Sequence, residues 1–469
     1  MNLKILFAWL LLSACGLQST DQNDKKLNKS LSITQYGAVS VLAIDISTKE
    51  VFLSKNPQQR MTPASLTKVL TSGAALDVLT PEFRFETRFY LKEVDEGSVL
   101  LVKGGGDPTL GSDRFEESVS DKIFKQLLVD LKEQGIESLH KICVDNSCYS
   151  GIKQPSKRLW EDIGNYYGAV PNGLSYRENT FHITMQSPEV VNAPVKIIKT
   201  EPIVDFQINC LVKSADNSKD SAYIYGNAMM DEWYVSGTIP RDRKAFTIKG
   251  ALPHPELFFA NDLRRYLETN GIEIEDIEST SLDEEEGLNH VYTHYSPKLN
   301  QIISVVNKTS HNLFADHLLY AIAEKEYSQA DWDKGTLALT SYWKKHISEF
   351  TGQFYDGSGL SPFNTFSATD MVNALVYLYQ SPRNDEFIES LSIAGVDGTL
   401  RSICKEQEYK GKLLGKSGSM NGVLTYCGYI NTNEGRTLAF CMMANRFTEP
   451  YKAVRTNMEQ LMKELIDQN

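Results

Sequence analysis

The two ends of the chain carry the pattern of one layered α/β unit. Residues 39–54 read as two apolar runs around a Ser-Thr-Lys turn, which predicts a β-hairpin, and a helix is predicted from Pro63 to about Leu79. Near the C-terminus the pattern predicts strands at 424–430 and 437–444 and a helix at 451–467. Joined together, these segments would build one α/β domain from both chain ends.

The middle of the chain differs from its ends. Strand and loop signals dominate residues 85–250, with one helix near 115–134, and an amphipathic helix is expected at 255–270. The acidic segment Asp283–Gly287 is interpreted as a solvated linker at a domain boundary. After it, helices are predicted at 312–326, 330–346 and 367–380.

This organisation predicts a catalytic domain in two segments, 30–88 and 290–469, interrupted by an insert at 89–289. The insert is too long for a loop, so we expect two nested subdomains in it, mainly β. A chain of 469 residues is long enough for two to four domains.

The N-terminus has the order of a secretory signal. Lys4 precedes a short apolar run, Ile5 to Leu12, which is too short to span a bilayer as a helix. The following Leu-Ser-Ala-Cys resembles a bacterial lipobox, which predicts a signal peptide at 1–14, a lipid on Cys15 and a flexible tether at 15–29. The alternative is an ordinary signal peptide with a stray cysteine. Either way we expect an exported protein, and with the lipid a periplasmic one anchored to a bacterial membrane.

Charge and cysteine content narrow the function classes. The 48 Lys and Arg residues against 60 Asp and Glu residues give a net charge of -12, which argues against sequence-independent nucleic-acid binding. Six cysteines follow Cys15, and Cys143 and Cys148 are close enough for a small-loop disulfide, although the connectivity stays open. Histidines show no HExxH or other zinc spacing, so we expect no metal and no cofactor.

A nucleophile is suggested by a Ser-x-x-Lys pair, whose side chains share one face of a helix so that the amine can take the hydroxyl proton. Five such pairs occur: Ser65/Lys68, Ser138/Lys141, Ser150/Lys153, Ser341/Lys344 and Ser402/Lys405. The residues around each pair distinguish the candidate nucleophile from the others. Ser65 follows Pro63 in the first turn of the predicted helix, where free backbone N–H groups can stabilise an oxyanion. Downstream stand Ser310-His311-Asn312 and Lys416-Ser417-Gly418-Ser419.

This ordered set resembles penicillin-binding proteins and serine β-lactamases. Further strings are similar to the class C low-molecular-mass group, the D-alanyl-D-alanine carboxypeptidase/endopeptidases: GGGDPTL from 104, NYYGA from 165, DGSGLS from 356 and AGVDGTL from 394. The resemblance covers roughly residues 35–450. It implies an α/β (α+β) penicillin-binding-protein/β-lactamase-like transpeptidase domain with a five-stranded antiparallel sheet flanked by helices.

The resemblance implies roles for the motif residues. Ser65 would be acylated, with Lys68 as general base and Lys416 as the second cation that keeps Lys68 neutral. Ser310 would relay a proton to the leaving D-alanine, and Asn312 would bind the substrate amide. Lys416 would lie on an edge strand, with Gly418 leaving room for the substrate. The oxyanion and carboxylate contacts would come from Ser65, Ser417, Gly418 and Ser419.

A substrate pocket follows from the same resemblance. Asp162, Tyr167 and Asn421 match positions that contact the free amino acid end of the peptide's diamino acid, whereas Pro362 replaces an arginine common in the family. Local alternatives exist: Asp162 could accept turn hydrogen bonds, and Tyr167 could belong to the core. Ser310 and Asn312 are also good helix caps. His311 is expected to face solvent, and DGSG from 356 to form a structural turn beside the site.

The implied function is a serine D-Ala-D-Ala carboxypeptidase/DD-endopeptidase acting on peptidoglycan stem peptides, with β-lactam antibiotics as covalent inhibitors. Two alternatives are a cell-wall-binding lipoprotein with a degenerate site and a serine β-lactamase. The intact motif residues argue against the first, and the long insert argues against the second.

Overall fold

A computed structural model describes Thr34, residues 37–281 and residues 287–468. The predicted signal peptide, Cys15, the tether at 15–29 and most of the acidic linker Asp283–Gly287 lie outside the described residues. In the described ranges, no helix combines the length and the apolar character needed to cross a bilayer.

The helices are numbered in chain order: α1 (Thr67–Leu79), α2 (Ser120–Glu133), α3 (Trp160–Ile163), α4 (Pro255–Thr269), α5 (Leu299–Thr309), α6 (Asn312–Tyr327), α7 (Trp332–His346), α8 (Ala368–Gln380), α9 (Asn384–Ser390) and α10 (Tyr451–Ile466). The strands are β1 (Ala38–Asp45), β2 (Val51–Lys55), β3 (Glu86–Val94), β4 (Gly97–Lys103), β5 (Ser138–Asp145), β6 (Thr180–Ser187), β7 (Lys196–Glu201), β8 (Gln207–Ala215), β9 (Tyr223–Tyr225), β10 (Glu232–Pro240), β11 (Arg243–Ala251), β12 (Glu273–Ser279), β13 (Asn289–Tyr295), β14 (Ser392–Ile393), β15 (Leu413–Met420), β16 (Val423–Asn431) and β17 (Thr437–Asn445).

Strands from both chain ends form one antiparallel sheet in the order β14-β15-β16-β17-β1-β2. The five long strands match the predicted count, and the two-residue strand β14 adds a sixth. β14 pairs with Leu414 and Gly415 of β15. In the described part of the chain, β15 from Lys416 onward therefore has a strand neighbour only in β16, as an edge position requires.

Helices cover both faces of this sheet. On one face, α1 and α5–α8 share a core with Leu42 of β1, and on the other face Val41 and Ala43 pack with α10. The alternation along β1 follows from the two-residue period of a strand. Helix α1 is buried along its length except near Asp77 and Val78, because its sequence is mostly small and apolar. The helix that carries Lys68 is therefore fixed in the centre of the domain.

The remaining strands form three further sheets. A mixed five-stranded sheet, β12-β5-β4-β3-β13, packs against α2 and α4. Two three-stranded sheets, β8-β10-β9 and β11-β6-β7, share a core that includes Phe181 and Trp233. The chain passes through β3, β4 and β5, builds both small sheets, and returns through β12 and β13.

The suggested small-loop disulfide is not formed: the six described cysteines are free. Cys143 lies on β5 and packs with Val99 and Leu101, whereas the Cys148 thiol donates to the Gly173 carbonyl, 3.7 Å away. The two side chains have separate environments, so closeness in sequence does not bring these two thiols into a disulfide here.

Candidate active site

Ser65 occupies the turn that leads into α1. A single 3-10 turn, Ala64–Leu66, precedes the α-helix, and Ser65 is its partly exposed member. The Pro63 carbonyl accepts a 2.8 Å hydrogen bond from the Thr425 hydroxyl of β16. This bond ties the start of the turn to the central sheet and places the Ser65 hydroxyl at the open end of the helix.

Lys68 lies one turn further on and is fully buried. Its Nζ atom is 3.1 Å from Ser65 Oγ and 2.7 Å from Asn312 Oδ1, and it also hydrogen-bonds to the Ser358 carbonyl. A neutral amine in this position can accept the Ser65 proton while donating to the other two oxygens. The structure thus brings Ser65, Lys68 and Asn312 together, as the ordered motifs predict.

The protonation of Lys68 is set by its surroundings. Burial lowers its pKa to about 7, the carboxylates of Asp316 and Asp356 oppose the shift, and the Arg158 guanidinium adds to it. Burial is therefore the main cause of the lowered Lys68 pKa, and the Arg158 charge makes a smaller contribution. A lysine with this pKa is substantially neutral at pH 7 and can act as a base.

A buried ion cluster lies directly behind Lys68, and sequence reasoning missed most of it. The Arg158 guanidinium contacts the carboxylates of Asp316 and Asp356, and all three side chains are fully buried. Arg158 also donates to Ser358 Oγ at 3.2 Å. Because Asp316 stands four residues after Asn312, both face the same side of α6. The four-residue spacing between Asn312 and Asp316 was the one sequence signal that could have placed Asp316 near the active site.

The loop carrying DGSG is a structural turn beside the site, as predicted. Asp356 Oδ1 accepts the Gly359 amide at 2.8 Å, and its Oδ2 accepts the Ser361 amide at 2.7 Å. These bonds position the Ser358 carbonyl against Lys68. The cluster therefore places both the Ser358 carbonyl oxygen and the charges of its own side chains near Lys68.

Ser310 and Lys416 form the second half of the site. Ser310 has the left-handed conformation, with φ of 60° at the end of α5, and its Oγ lies 2.9 Å from Lys416 Nζ. Lys416 is fully buried and also donates to the Ser417 carbonyl at 2.7 Å. Burial lowers its pKa well below the ordinary value, and the charge of Lys68 adds to the shift. Among the described residues, Lys416 has no carboxylate partner in an ion pair.

Gly418 allows β15 to approach the nucleophile. A Cβ atom at this position would lie 2.4 Å from Thr425 Oγ1, 2.7 Å from the Pro63 carbonyl and 2.9 Å from the Ser65 amide nitrogen. A side chain would thus collide with the turn that holds Ser65. Ser417 is partly exposed and Ser419 is exposed beside it on the same strand.

The predicted pocket residues fall in two places. Asn312 Nδ2 donates to the Tyr167 carbonyl at 2.8 Å, which joins the pocket loop to the catalytic residues. Burial raises the pKa of Asp162 to about 6, the nearby Glu161 charge adds to the shift, and a hydrogen bond with Tyr167 opposes it. Burial also raises the pKa of the half-buried Tyr167, and Asp162 contributes. Asn421 is exposed in the turn between β15 and β16.

The expectation for His311 was wrong, because its side chain does not face solvent. Only 15% of it is exposed, and its Nε2–H donates to Glu178 at 2.9 Å. Its Nδ1 accepts the Phe314 amide, and its ring lies 4.0 Å from the Phe314 ring. His311 is therefore a helix cap that fixes the link between Ser310 and Asn312.

Comparison with known proteins decides the family. The sequence profile of the D-Ala-D-Ala carboxypeptidase 3 (S13) family matches residues 24–465. The chain belongs to this family. It is 26% identical over 424 residues to D-alanyl-D-alanine carboxypeptidase DacB of Haemophilus influenzae, covering 87% of this chain and 86% of that protein. It is 24% identical over 435 residues to D-alanyl-D-alanine carboxypeptidase of Actinomadura sp. strain R39, covering 88% and 79%.

The fold agrees with this assignment. The structure of penicillin binding protein 4 (dacB) from Haemophilus influenzae superposes with a TM-score of 0.81 at 24% identity, covering 95% of this chain and 99% of that one. The predicted penicillin-binding-protein fold is confirmed. As an S13 family member, the chain is a serine-type D-Ala-D-Ala carboxypeptidase and a penicillin-binding protein, so the predicted class is confirmed too.

Proposed function

We propose that this S13 carboxypeptidase forms its acyl-enzyme on Ser65 and releases the terminal D-alanine of peptidoglycan stem peptides. The observation that carries the proposal is the 3.1 Å contact between Ser65 Oγ and Lys68 Nζ, in an environment that lowers the Lys68 pKa to about 7. Neutral Lys68 takes the hydroxyl proton as Ser65 Oγ attacks the carbonyl carbon of the penultimate D-alanine.

Lys416 supports the departure of the product. Its buried Nζ lacks a carboxylate partner among the described residues, and the terminal carboxylate of the substrate would supply one. Ser310 Oγ, bonded to Lys416, can pass a proton to the leaving amine as the amide bond breaks. The backbone N–H groups of Ser65 and Ser419 would bind the oxyanion, with Ser417 and Gly418 shaping the strand beside it.

A fluorescent penicillin tests the nucleophile. We expect covalent labelling of the protein and loss of the label in Ser65→Ala. Ser138→Ala is the matched control, because Ser138 belongs to another Ser-x-x-Lys pair, on the exposed part of β5. Label that survives Ser65→Ala would refute the assignment.

The same chemistry extends to cross-links, and we propose DD-endopeptidase activity as well. A cross-link presents the same D-alanyl carbonyl joined to the amino group of a second stem peptide. Mass spectrometry of purified cross-linked peptidoglycan after digestion separates the two activities, because loss of D-alanine and cleavage of a cross-link give different masses. Release of D-alanine with intact cross-links would leave only the carboxypeptidase.

We further propose that Asp162 and Tyr167 bind the free amino end of the diamino acid. A carboxylate with a pKa of about 6 is mostly ionised at pH 7 and can pair with an ammonium group. Asp162→Asn should raise KM for peptides with a free amino end and not for their acetylated forms. Asn421→Ala tests the third predicted residue in the same assay. Pro362 offers no cation for a second carboxylate, so the preference for a meso-diaminopimelate end is expected to be weak.

Export and lipid attachment on Cys15 also stand as proposals, supported by the lipobox-like sequence. Labelled palmitate should be incorporated into the wild-type protein and not into Cys15→Ala.

We also propose the domain division at 30–88 and 290–469 around an insert at 89–289. Its support is that the central sheet contains strands only from 38–55 and 392–445 among the described residues.

A further inference from the structure

One face of the small sheet β8-β10-β9 carries exposed tyrosines. Tyr223 and Tyr225 are two residues apart on β9 and so share a face, while Ile224 between them is buried. Tyr234 of β10 lies directly opposite Tyr225. Tyr223 is 41% exposed and Tyr234 is 36% exposed. The three rings make an outward aromatic surface.

The chain segment 160–167 connects this surface to the candidate active site. The Trp160 ring lies 6.3 Å from the Tyr225 ring, and Tyr166 lies 5.4 Å from Tyr167. Trp160 is 47% exposed and Tyr166 is 52% exposed. Tyr167 is the residue whose carbonyl is bonded to Asn312. We call the set the aromatic track: Trp160, Tyr166, Tyr223, Tyr225 and Tyr234.

Buried contacts join α3 and the residues after it to β9. Buried Asn165 accepts the Ile224 amide at 3.2 Å and donates to the Glu161 carbonyl at 2.6 Å. A Cβ on Gly164 would lie 2.4 Å from the Ile224 carbonyl, which shows how closely α3 and β9 approach. These contacts place Trp160 of α3 next to the tyrosines of β9.

The charges beside the track disfavour an anionic ligand, and a neutral ligand joined to the peptide in the cleft fits it. Clustered exposed aromatic side chains mark a binding site. The charged side chains on α3 and β10 that flank it are acidic: Glu161, Asp162 and Glu232. Carboxylate-rich peptides and anionic lipid surfaces would be repelled there. Neutral sugar rings present flat C–H faces to aromatic rings and hydroxyls to the tyrosine O–H groups.

We propose that the aromatic track binds the glycan part of peptidoglycan, with N-acetylated sugar rings stacked on it while the attached stem peptide enters the cleft at Ser65. The position of the peptide rests on the proposed function. The binding of sugar to the track can be measured without any peptide.

The first experiment measures binding of a neutral N-acetylglucosamine oligomer to the purified protein. We expect binding that is weakened about fivefold or more in Trp160→Ala and in Tyr234→Ala, and largely kept in Trp160→Phe. Tyr295→Ala is the matched control, because Tyr295 is 50% exposed on β13. Absence of binding by the wild type, or equal binding by all variants, would overturn the inference.

The second experiment compares a disaccharide-pentapeptide with the free pentapeptide. The ratio of their kcat/KM values should fall in Trp160→Ala and stay constant in Tyr295→Ala. An unchanged ratio would overturn the inference. It would also be overturned if the protein bound phosphatidylcholine vesicles but no sugar, and if Trp160→Ala abolished the vesicle binding. Penicillin labelling separates the two hypotheses. A protein that is labelled but does not bind the sugar refutes only the sugar-binding role of the aromatic track. A protein that is not labelled refutes the acyl-enzyme on Ser65.

Discussion

The amide oxygen of Asn312 lies 2.7 Å from the side-chain nitrogen of Lys68. The amide nitrogen of the same side chain donates to the Tyr167 carbonyl at 2.8 Å. Asn312 therefore orients the general base from one end and the pocket loop from the other. A side chain with an acceptor and a donor at these two positions satisfies both contacts without adding charge.

Asn312→Asp should weaken acylation strongly at pH 7. A carboxylate beside Lys68 favours its protonated form and raises its pKa by about 1–3 units, so the neutral base becomes roughly 5- to 500-fold rarer at pH 7. The second-order rate of penicillin labelling measures this loss, which should be partly recovered at high pH. Asn217→Asp, at an exposed position, is the control. A pH-independent loss would contradict the electrostatic explanation.

The wild-type acylation rate should rise with pH and level off above about 7, since only the neutral form of Lys68 accepts the Ser65 proton. Asp316→Asn removes a charge that opposes the lowered pKa. The rise should therefore move to lower pH, by about one unit. Penicillin labelling between acidic and alkaline pH gives both curves. A rise that stays in place or moves to higher pH would exclude this role of Asp316.

The motif residues were predicted from short sequence strings and from the resemblance of those strings to penicillin-binding proteins. Ser65 and Lys68 share one turn, and Ser310 and Asn312 flank a helix start, so sequence spacing alone fixes their relation. The N-terminal hairpin and most helices were likewise predicted from local periodicity. Helix α5 was missed although Ile302, Ile303 and Val306 show helical spacing.

Long-range contacts could not be predicted in this way. Arg158 reaches Asp316 and Asp356, which are far along the chain, and no local pattern marks it as buried. His311 was misassigned because its partner Glu178 belongs to the middle segment of the chain. In both cases the decisive contact joins residues of 89–289 to residues after 290, and only the three-dimensional structure shows which polar residues meet.

Gly418→Ala should lower acylation about 100-fold while the protein remains folded. The added Cβ would meet the Pro63 carbonyl and the Ser65 amide nitrogen, and small displacements of a nucleophile have effects of this size. Labelling rate and circular dichroism separate the two properties. Gly435→Ala is a matched control in an open turn at φ of 84°, where a Cβ meets nothing. It should lose about 1 kcal/mol of stability and keep the labelling rate.

Glu178→Gln should destabilise the protein at neutral pH more than in acid. Burial alone would raise the pKa of Glu178, but hydrogen bonds from His311, Arg114 and Ser112 hold it well below the ordinary value of 4.5. The stability from this carboxylate is present above pH 4.5 and is lost as pH falls through the folded-state pKa. Urea unfolding across this range measures the difference, with exposed Glu201→Gln as control. A constant difference would contradict the linkage.

Arg158→Met should reduce both stability and acylation. It leaves the carboxylates of Asp316 and Asp356 buried without their cation, which costs about 3–5 kcal/mol. It also removes a charge that lowers the Lys68 pKa, so the rise of the acylation rate should move to higher pH. Arg241→Met is the matched control, because Arg241 forms an exposed pair that contributes about 0–1 kcal/mol. Urea midpoints and labelling rates test both effects. Equal urea midpoints for the two variants would show that the buried ion cluster of Arg158, Asp316 and Asp356 does not stabilise the fold.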